Sequence, residues 1–346
     1  MKVLLISVKS EKSKGGIAVW TRRYLEQCGI RGVDCKLVNT EVIGRRATQG
    51  TGRRSLADEW FRTKRIFRDL RVCLKERFEV AHLNTSCGTF GLFRDYLVAR
   101  RIHKKGIPLV VHFHCDIPYW IHNPISRRCL GKLVALSCCN LVLCENSRKY
   151  LQEHFDAESE KVPNFIEDSL ILPAGKQVAQ TMRKVVFLGR VEEAKGAAQI
   201  YQLAERFPEL EFRLIGEVSD RVREWKKTDN IILEGTMPHE QALKCLDTAD
   251  LFLFPSHSEG FSLALLEAMA RGLPSVATDV GANADMLSHG CGVIVAKGDV
   301  DAMEQAIRRS APQKVRREMS ENALQRVRTA YTTDAVFERI MHLYRR

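Results

Sequence analysis

Leu251-Phe-Leu-Phe-Pro-Ser-His-Ser-Glu-Gly-Phe-Ser-Leu-Ala-Leu-Leu-Glu-Ala-Met-Ala-Arg-Gly272 carries a strand, a loop and a helix in one stretch. Four apolar residues end at Phe254, and Pro255 and Gly260 interrupt the chain. Ser262 stands where its hydroxyl caps a helix running to about Arg271, with Gly272 as the stop. A buried strand feeding a helix through a short loop is the unit of a parallel sheet covered on both faces. In such sheets ligands lie beyond the carboxyl ends of the strands, where N–H groups at a helix start favour phosphate or sugar oxygens.

Outward from this stretch the same unit repeats. Val185–Leu188, Phe212–Ile215, Ile231–Leu233, Ser275–Thr278 and Val293–Val295 read as further strands of one series. Val3–Val8, Lys36–Asn39, Val80–Asn84, Leu109–His114 and Leu141–Glu145 form an earlier one, with helical periods between them, as in Ile17–Gln27 and Phe93–His103. The polar, proline-bearing stretch from Val162 to Lys184 separates the two. The expected fold is α/β, with two doubly wound Rossmann-like parallel-sheet domains.

The chain has 346 residues, 45% hydrophobic and 28% charged, enough for two domains with a core each. Its formal charge of +12 is uneven. Residues 1–170 hold 30 basic and 18 acidic side chains, whereas residues 171–346 hold 24 of each. A surplus confined to one half argues for two units meeting different partners and against a uniformly basic nucleic-acid binder. No apolar run reaches the length of a membrane span. The opening Met-Lys-Val-Leu-Leu-Ile-Ser-Val reads as a buried strand, because its apolar run is too short for a secretory signal and Lys9, Lys12 and Lys14 follow it. Eleven cysteines without Cys-x-x-Cys spacing, mostly inside apolar runs, read as reduced core thiols of a cytoplasmic protein.

Two glutamates in the quoted stretch differ in setting. Glu259 sits on the loop, where a glycosyl hydroxyl could meet it. Glu267 lies one and a half turns into the helix, where its carboxylate could accept two hydrogen bonds from a vicinal diol such as ribose. The plainer alternative is a capping acid and a solvent-facing acid. A second strand-to-glycine turn, Lys184-Val-Val-Phe-Leu-Gly-Arg-Val-Glu-Glu-Ala-Lys-Gly196, places Arg190 and Lys195 at a strand's carboxyl end, where two cations could neutralise a diphosphate. Its plainer alternative is surface ion pairing with Glu192 and Glu193.

Together these segments resemble the nucleotide-sugar-binding half of the retaining GT-B glycosyltransferases of family 4. The resemblance continues through Asn230–Gly235, Ala249-Asp250, Pro255-Ser256, Glu267–Pro274 and Thr278–Gly281 to Cys291–Val295, nearly all of residues 184–300 in order. It implies two domains facing a cleft: residues 1–165, completed by a C-terminal helix at 331–346, for the acceptor, and residues 166–330 for the nucleotide sugar. It implies that Arg190 and Lys195 bind the donor diphosphate, that Glu259 meets the transferred sugar and that Glu267 binds the ribose. Backbone amides of Gly260, Phe261 and Ser262 would touch sugar or phosphate. The chain departs from the family pattern at Ser262, where proline is common, and at Ala282 and Asp285, where glycine and glutamate are.

The first half resembles the family more loosely, in Lys14-Gly-Gly-Ile17, Glu79–Asn84 and Val110-Val-His-Phe-His-Cys-Asp116. Gly15 and Gly16 would let a ligand approach the backbone closely, and His114 falls where the family places a cleft-facing histidine. His112, His114 and Asp116 alternate along a strand, but Ile117 follows and no second ligand cluster exists, so no metal site is expected. The implied activity is a retaining, metal-independent transfer of a sugar from a nucleotide diphosphate sugar, more readily UDP-linked than GDP-linked, with no cofactor beyond that donor. His114 would be a polar contact to the sugar and not the general base. The alternatives are a nucleotide-sugar epimerase of the same architecture and an inactive scaffold paralogue.

Arg45–Arg77 carries eleven basic residues against four acidic ones. From Leu56 it reads as an amphipathic helix, with Trp60, Ile66, Phe67 and Leu70 as apolar contacts and Arg62, Lys64, Arg65, Arg68 and Arg71 along the flank. That composition suits an anionic bilayer surface. The expectation is peripheral attachment at the inner face of the cell membrane and a lipid-linked or cell-surface glycan acceptor, with no nucleic-acid partner because stacking aromatics are few.

Overall fold

The computed structural model describes residues 1–10, 15–42, 56–226 and 228–346. Lys14 and the 45–55 part of the basic segment therefore lie outside the described residues. The chain divides into two units, Met1–Pro163 with Phe337–Arg346, and Asn164–Val336.

The first unit is a parallel sheet of β1 (Lys2–Ser7), β2 (Asp34–Asn39), β3 (Val80–Thr85), β4 (Leu109–Phe113), β5 (Cys139–Val142) and β6 (Glu160–Lys161), in the order β2-β1-β3-β4-β5-β6. The opening segment is indeed its buried strand β1. Leu4, Ile6, Ala81, Leu83, Val111 and Phe113 fill one core. The first strand pairs with both the second and the third, so the chain reverses its direction of travel across the sheet between β1 and β3. Such a reversal opens a crevice beyond the strands' carboxyl ends.

The second unit contains β7 (Lys184–Leu188), β8 (Glu211–Ile215), β9 (Ile231–Gly235), β10 (Leu251–Phe254), β11 (Ser275–Thr278) and β12 (Gly292–Val295), all parallel, in the order β12-β11-β10-β7-β8-β9. This is the doubly wound order with its reversal between β7 and β10, so the loops leaving those two strands flank the crevice. Both strands are fully apolar inside: Val185, Val186, Leu251, Phe252 and Leu253 are excluded from solvent. The family-like Ala249-Asp250 serves the scaffold, since the Asp250 carboxylate accepts hydrogen bonds from the N–H groups of Arg183 and Lys184 at the entry to β7.

The basic helix forms as Leu56–Cys73, but its faces differ from the expectation. Ile66 and Leu70 are buried in the first unit's core, and Phe67 packs against it with the Arg101 guanidinium 3.9 Å from its ring centre. Arg62 donates to the Thr40 carbonyl and Arg65 to that of Glu41, which turns both inward. Burial lowers the Arg62 pKa to about 10. The outward face is instead Trp60, Phe61, Lys64, Arg68, Arg71 and Val72, with exposed Lys75 just beyond the helix. A helix of this length must bury an apolar stripe to be stable, and the sheet takes the stripe that sequence alone offered to a bilayer. No described helix is long and apolar enough to cross a membrane.

Candidate functional site

Three loops meet at the carboxyl end of the second sheet. The one after β7 holds Arg190 and Lys195, the one after β10 runs from Pro255 to Ser262, and the one after β11 spans Asp279–Ala282. Backbone hydrogen bonds join them: His257 N–H to the Ala194 carbonyl at 3.0 Å and Ala282 N–H to that of Gly260, also at 3.0 Å. Two glycines make the approach possible. Gly196 has φ +83°, and a Cβ there would lie 2.2 Å from the Pro255 carbonyl oxygen; at Gly281, φ +55°, it would lie 2.4 Å from that of Glu259. Neither contact is sterically possible for another residue without moving backbone.

The locked loops bring Lys195 and Glu259, 64 positions apart, into an ion pair of 2.7 Å. The same carboxylate oxygen accepts the Ser256 hydroxyl at 2.8 Å. Lys195 and Glu259 side chains are only 22% and 12% exposed, so the pair is shielded from bulk water on most sides. Arg190 behaves differently. It is 63% exposed and pairs with Glu192 at 2.9 Å, the plainer alternative for this residue, while Glu193 pairs with Arg221 instead.

Ser262 caps the helix Leu263–Ala270 by accepting from Leu265 N–H at 3.1 Å, as its placement before the apolar run predicts. The first N–H groups of a helix have no intrahelical partner, and Gly260, Phe261 and Ser262 lead into that start. Glu267 lies on this helix with its carboxylate 2.9 Å from His239 Nε2. His239 and Ser256 are the site residues that sequence reasoning missed. Ser256 was visible within the Pro255-Ser256 landmark, whereas His239, 28 positions from its partner, has no local signal.

The structure thus gathers Arg190, Lys195, Glu259, Gly260, Phe261, Ser262 and Glu267 on one end of the second unit. His114, Gly15 and Gly16 belong to the first. Gly15 precedes the helix Gly16–Ile30 with φ −68°, and a Cβ on Gly16 would meet nothing within 4 Å, so packing does not require glycine at position 16. His114 follows β4, with Nε2 3.0 Å from Asn84 Oδ1. Burial holds the neighbouring imidazoles neutral: His82 is lowered to about 3 and His112 lies well below the ordinary value. Among the described residues, no group of three or more His, Cys, Asp or Glu side chains is arranged to hold a metal ion.

The family model for glycosyl transferases group 1 matches residues 172–326. A 2-deoxystreptamine N-acetyl-D-glucosaminyltransferase of Niallia circulans is 25% identical over 260 residues, 66% of each chain. Matches to two other curated relatives span 35% and 47% of their lengths. Among solved structures, a sucrose-phosphate synthase from Thermosynechococcus elongatus superposes with a TM-score of 0.78 at 17% identity, covering 100% of this chain and 98% of that one. Anabaena HepE in complex with UDP gives 0.72 at 13% identity, with 99% of both chains covered. The family match ends at 326 and begins at 172, so it coincides with the unit that carries the gathered side chains. Residues 172–326 are a glycosyl transferases group 1 domain, within a chain of GT-B fold.

Proposed function

We propose that this chain is a retaining glycosyltransferase that moves a sugar from a UDP-linked nucleotide sugar to a lipid-linked or cell-surface glycan acceptor. The observation that carries the reading is the convergence of Lys195, Ser256 and Glu259 beside a capped helix start, inside the matched domain. Lys195 Nζ has three donors, enough to keep Glu259 and reach a diphosphate oxygen. It thereby ties the group that meets the sugar to the group that meets the leaving phosphate. Arg190, exposed and paired with Glu192 at the surface, can swing to the same diphosphate, since such pairs are worth about 0–1 kcal/mol. Glu267 would accept the ribose hydroxyls; a carboxylate has about four lone-pair sites, enough for His239 and a diol.

As the bond to the sugar breaks, charge accumulates on the departing diphosphate. Lys195 and the N–H groups at Gly260–Ser262 would stabilise that charge from fixed positions, as electrostatic preorganisation, and Arg190 would join them by leaving its surface pair. Displacement on one face of the sugar, with the departing phosphate oxygen taking the acceptor's proton, gives retention. His114 would contact the transferred sugar, and Gly15 and Gly16 would allow a ligand near the backbone; Gly16 is a glycine that packing does not itself demand. Because side chains carry the diphosphate charge, turnover should need no divalent metal. UDP as the nucleotide draws support from the UDP complex of the structural neighbour.

A screen of nucleotide sugars for hydrolysis and thermal stabilisation, run with and without chelator, tests this. UDP-sugars should raise the melting temperature and be hydrolysed in both conditions. Stabilisation by none of them removes the donor reading, and turnover lost to chelator and restored by manganese or magnesium removes the metal-independent one.

The acceptor side rests on the outward face of the helix Leu56–Cys73. Trp60 and Phe61 stand together with ring centres 4.9 Å apart, beside Lys64, Arg68, Arg71 and Lys75. At an anionic inner membrane surface each basic side chain is worth about 1 kcal/mol, which gives reversible, salt-sensitive attachment of a cytoplasmic enzyme. Flotation with anionic vesicles at low salt should recover the protein; equal recovery with neutral vesicles would favour an acceptor that is not membrane-borne.

A further inference from the structure

Among the described residues ten large apolar side chains are exposed, all of them in the first unit, and seven lie at the carboxyl end of its sheet. In a parallel sheet the helix that follows a strand starts at that end. Trp60 and Phe61 lie in the first two turns of the helix Leu56–Cys73, which Arg62 and Arg65 tie to carbonyls just past β2. Phe90 and Phe93 open the helix Thr89–His103 after β3, and Tyr119 and Trp120 belong to the short helix Ile117–Trp120 after β4. Ile125 is the second residue of the helix Pro124–Val134, whose cap Asn123 reaches Thr89 Oγ1 at 3.4 Å, so two of these helix starts are joined. The seven are between 44% and 67% exposed. Local pattern turns them out: in Ile117-Pro-Tyr-Trp-Ile121 the isoleucines, four apart, are buried in the core and leave the aromatic pair outside. The other three, Met1, Ile30 and Val72, precede strands and so belong to the opposite end.

Charge is ordered along the same helices. Exposed positions of Leu56–Cys73 read Trp60, then Lys64, Arg68 and Arg71; those of Thr89–His103 read Phe90 and Phe93, then Arg100; those of Pro124–Val134 read Ile125, then Arg128 and Lys132. At 1.5 Å per residue the cations trail the apolar groups by about 5–16 Å. An apolar rim is thus backed by a basic belt that runs across three helices. Residues 86–138 hold eight Lys and Arg against two Asp and Glu, and one of those acids, buried Asp95, is paired with Arg94 at 2.7 Å. Acyl chains and anionic headgroups follow one another in the same order at a bilayer surface. A helix lying flat would need apolar residues along its whole outward side, where Arg68 and Arg71 stand here.

We propose that the first unit enters an anionic bilayer tip-first, by the rim of helix starts from Trp60 to Ile125, with the carboxyl end of its sheet toward the lipid. This deepens the membrane-borne acceptor reading and rests on it. Ligands of a doubly wound sheet lie beyond that end of the strands. A lipid-linked acceptor would therefore meet the unit with its sugar at the sheet and its apolar chain still in the bilayer.

The full chain on phosphatidylcholine–phosphatidylglycerol vesicles tests the orientation, with flotation for binding and quenching by lipids brominated on the upper acyl chain for depth. Trp60 and Trp120 sit on different helices of the rim, and Trp60→Phe and Trp120→Phe separate their signals from buried Trp20 and from Trp225 of the second unit. Tip-first entry quenches both. Quenching of Trp60 alone, the outcome for a helix lying flat, overturns the proposal, and so does quenching of neither in protein that floats. Phe90→Ser with Phe93→Ser should lower vesicle partitioning about tenfold or more. Ile30→Ser with Val72→Ser, also exposed but at the other end, should leave it unchanged; equal effects of the two pairs overturn the proposal. Sedimentation without lipid covers another occupant: a wild-type dimer that Phe90→Ser with Phe93→Ser separates would assign the rim to a second copy of the chain. None of these residues belongs to the candidate site, so nucleotide-sugar hydrolysis without vesicles should be the same in all variants. Failure to float removes the membrane-borne acceptor together with the rim, whereas floating protein with Trp120 unquenched removes the rim alone.

Discussion

Mild acid should weaken the first unit through His82, and the size of the effect follows from its burial. The imidazole has no solvent exposure and touches Trp20, Tyr24, His112 and Tyr344. Burial opposes its charged form and outweighs the Asn84 hydrogen bond, lowering the pKa to about 3 from an ordinary 6.5. The folded state therefore binds fewer protons than the unfolded one. Stability is unaffected by this group above about pH 7 and is lost progressively as pH falls from 6.5 toward 3. At pH 5 the unfolded chain is protonated here and the folded chain is not, a penalty of about 2 kcal/mol. His112 contributes with the same sign, through burial first and then through His114 and His82. His82→Gln isolates the His82 share, because the amide can keep a donor for Asn84 and an acceptor for Tyr344 without titrating. Urea unfolding followed by tryptophan fluorescence reads the first unit, which holds Trp20, Trp60 and Trp120. Between pH 7.5 and 5 the wild type should lose about 2 kcal/mol more than His82→Gln. Parallel losses in the two proteins would show that His82 titrates normally and that the buried network is open to water.

Glu267→Gln should weaken binding of the free nucleoside diphosphate by about 1.5–3 kcal/mol in calorimetry, since a charge-assisted acceptor becomes a neutral one. Glu259→Gln should reduce turnover more than nucleotide affinity, because the Lys195 ammonium loses its anchor at the sugar end of the site. If both are silent toward the nucleotide and toward turnover, the site assignment is wrong. Gly196→Ala should destabilise the second unit by at least about 1–3 kcal/mol, the cost of a strained φ with a backbone clash, visible as a lower midpoint in thermal unfolding. An unchanged midpoint would mean that the loops after β7 and β10 are not locked as described.

The sheets and the binding stretch were legible in the sequence because their signals are local. Strands such as Leu251–Phe254 and Ser275–Thr278 are short apolar runs bounded by breakers, and Ser262 before Leu-Ala-Leu-Leu reads as a cap from adjacent residues alone. Strand ends shift by one to three positions, as at β5, because hydrogen bonding to neighbours and not composition decides where pairing stops. The amphipathic period of residues 56–73 was equally legible, yet it could not say which surface takes the apolar stripe, since a sheet and a bilayer both accept one. Burial of Ile66 and Leu70 against the first core settled that, and it turned Arg62 and Arg65 inward.

Pairings across long stretches of chain were decided by tertiary structure. Lys195 meets Glu259 because Gly196 and Gly281 let three loops close on one another, and Glu267 meets His239 because the helix His239–Thr248 begins beside the helix that carries Glu267. Sequence supplied the residue types at the carboxyl ends of β7 and β10; only folding selected which cation faces which acid. The same holds for His114. Its place after a buried strand could be read directly, but its hydrogen bond to Asn84, 30 positions away on β3, could not. Such a pairing is a property of the closed fold, and a linear sequence does not contain that closure.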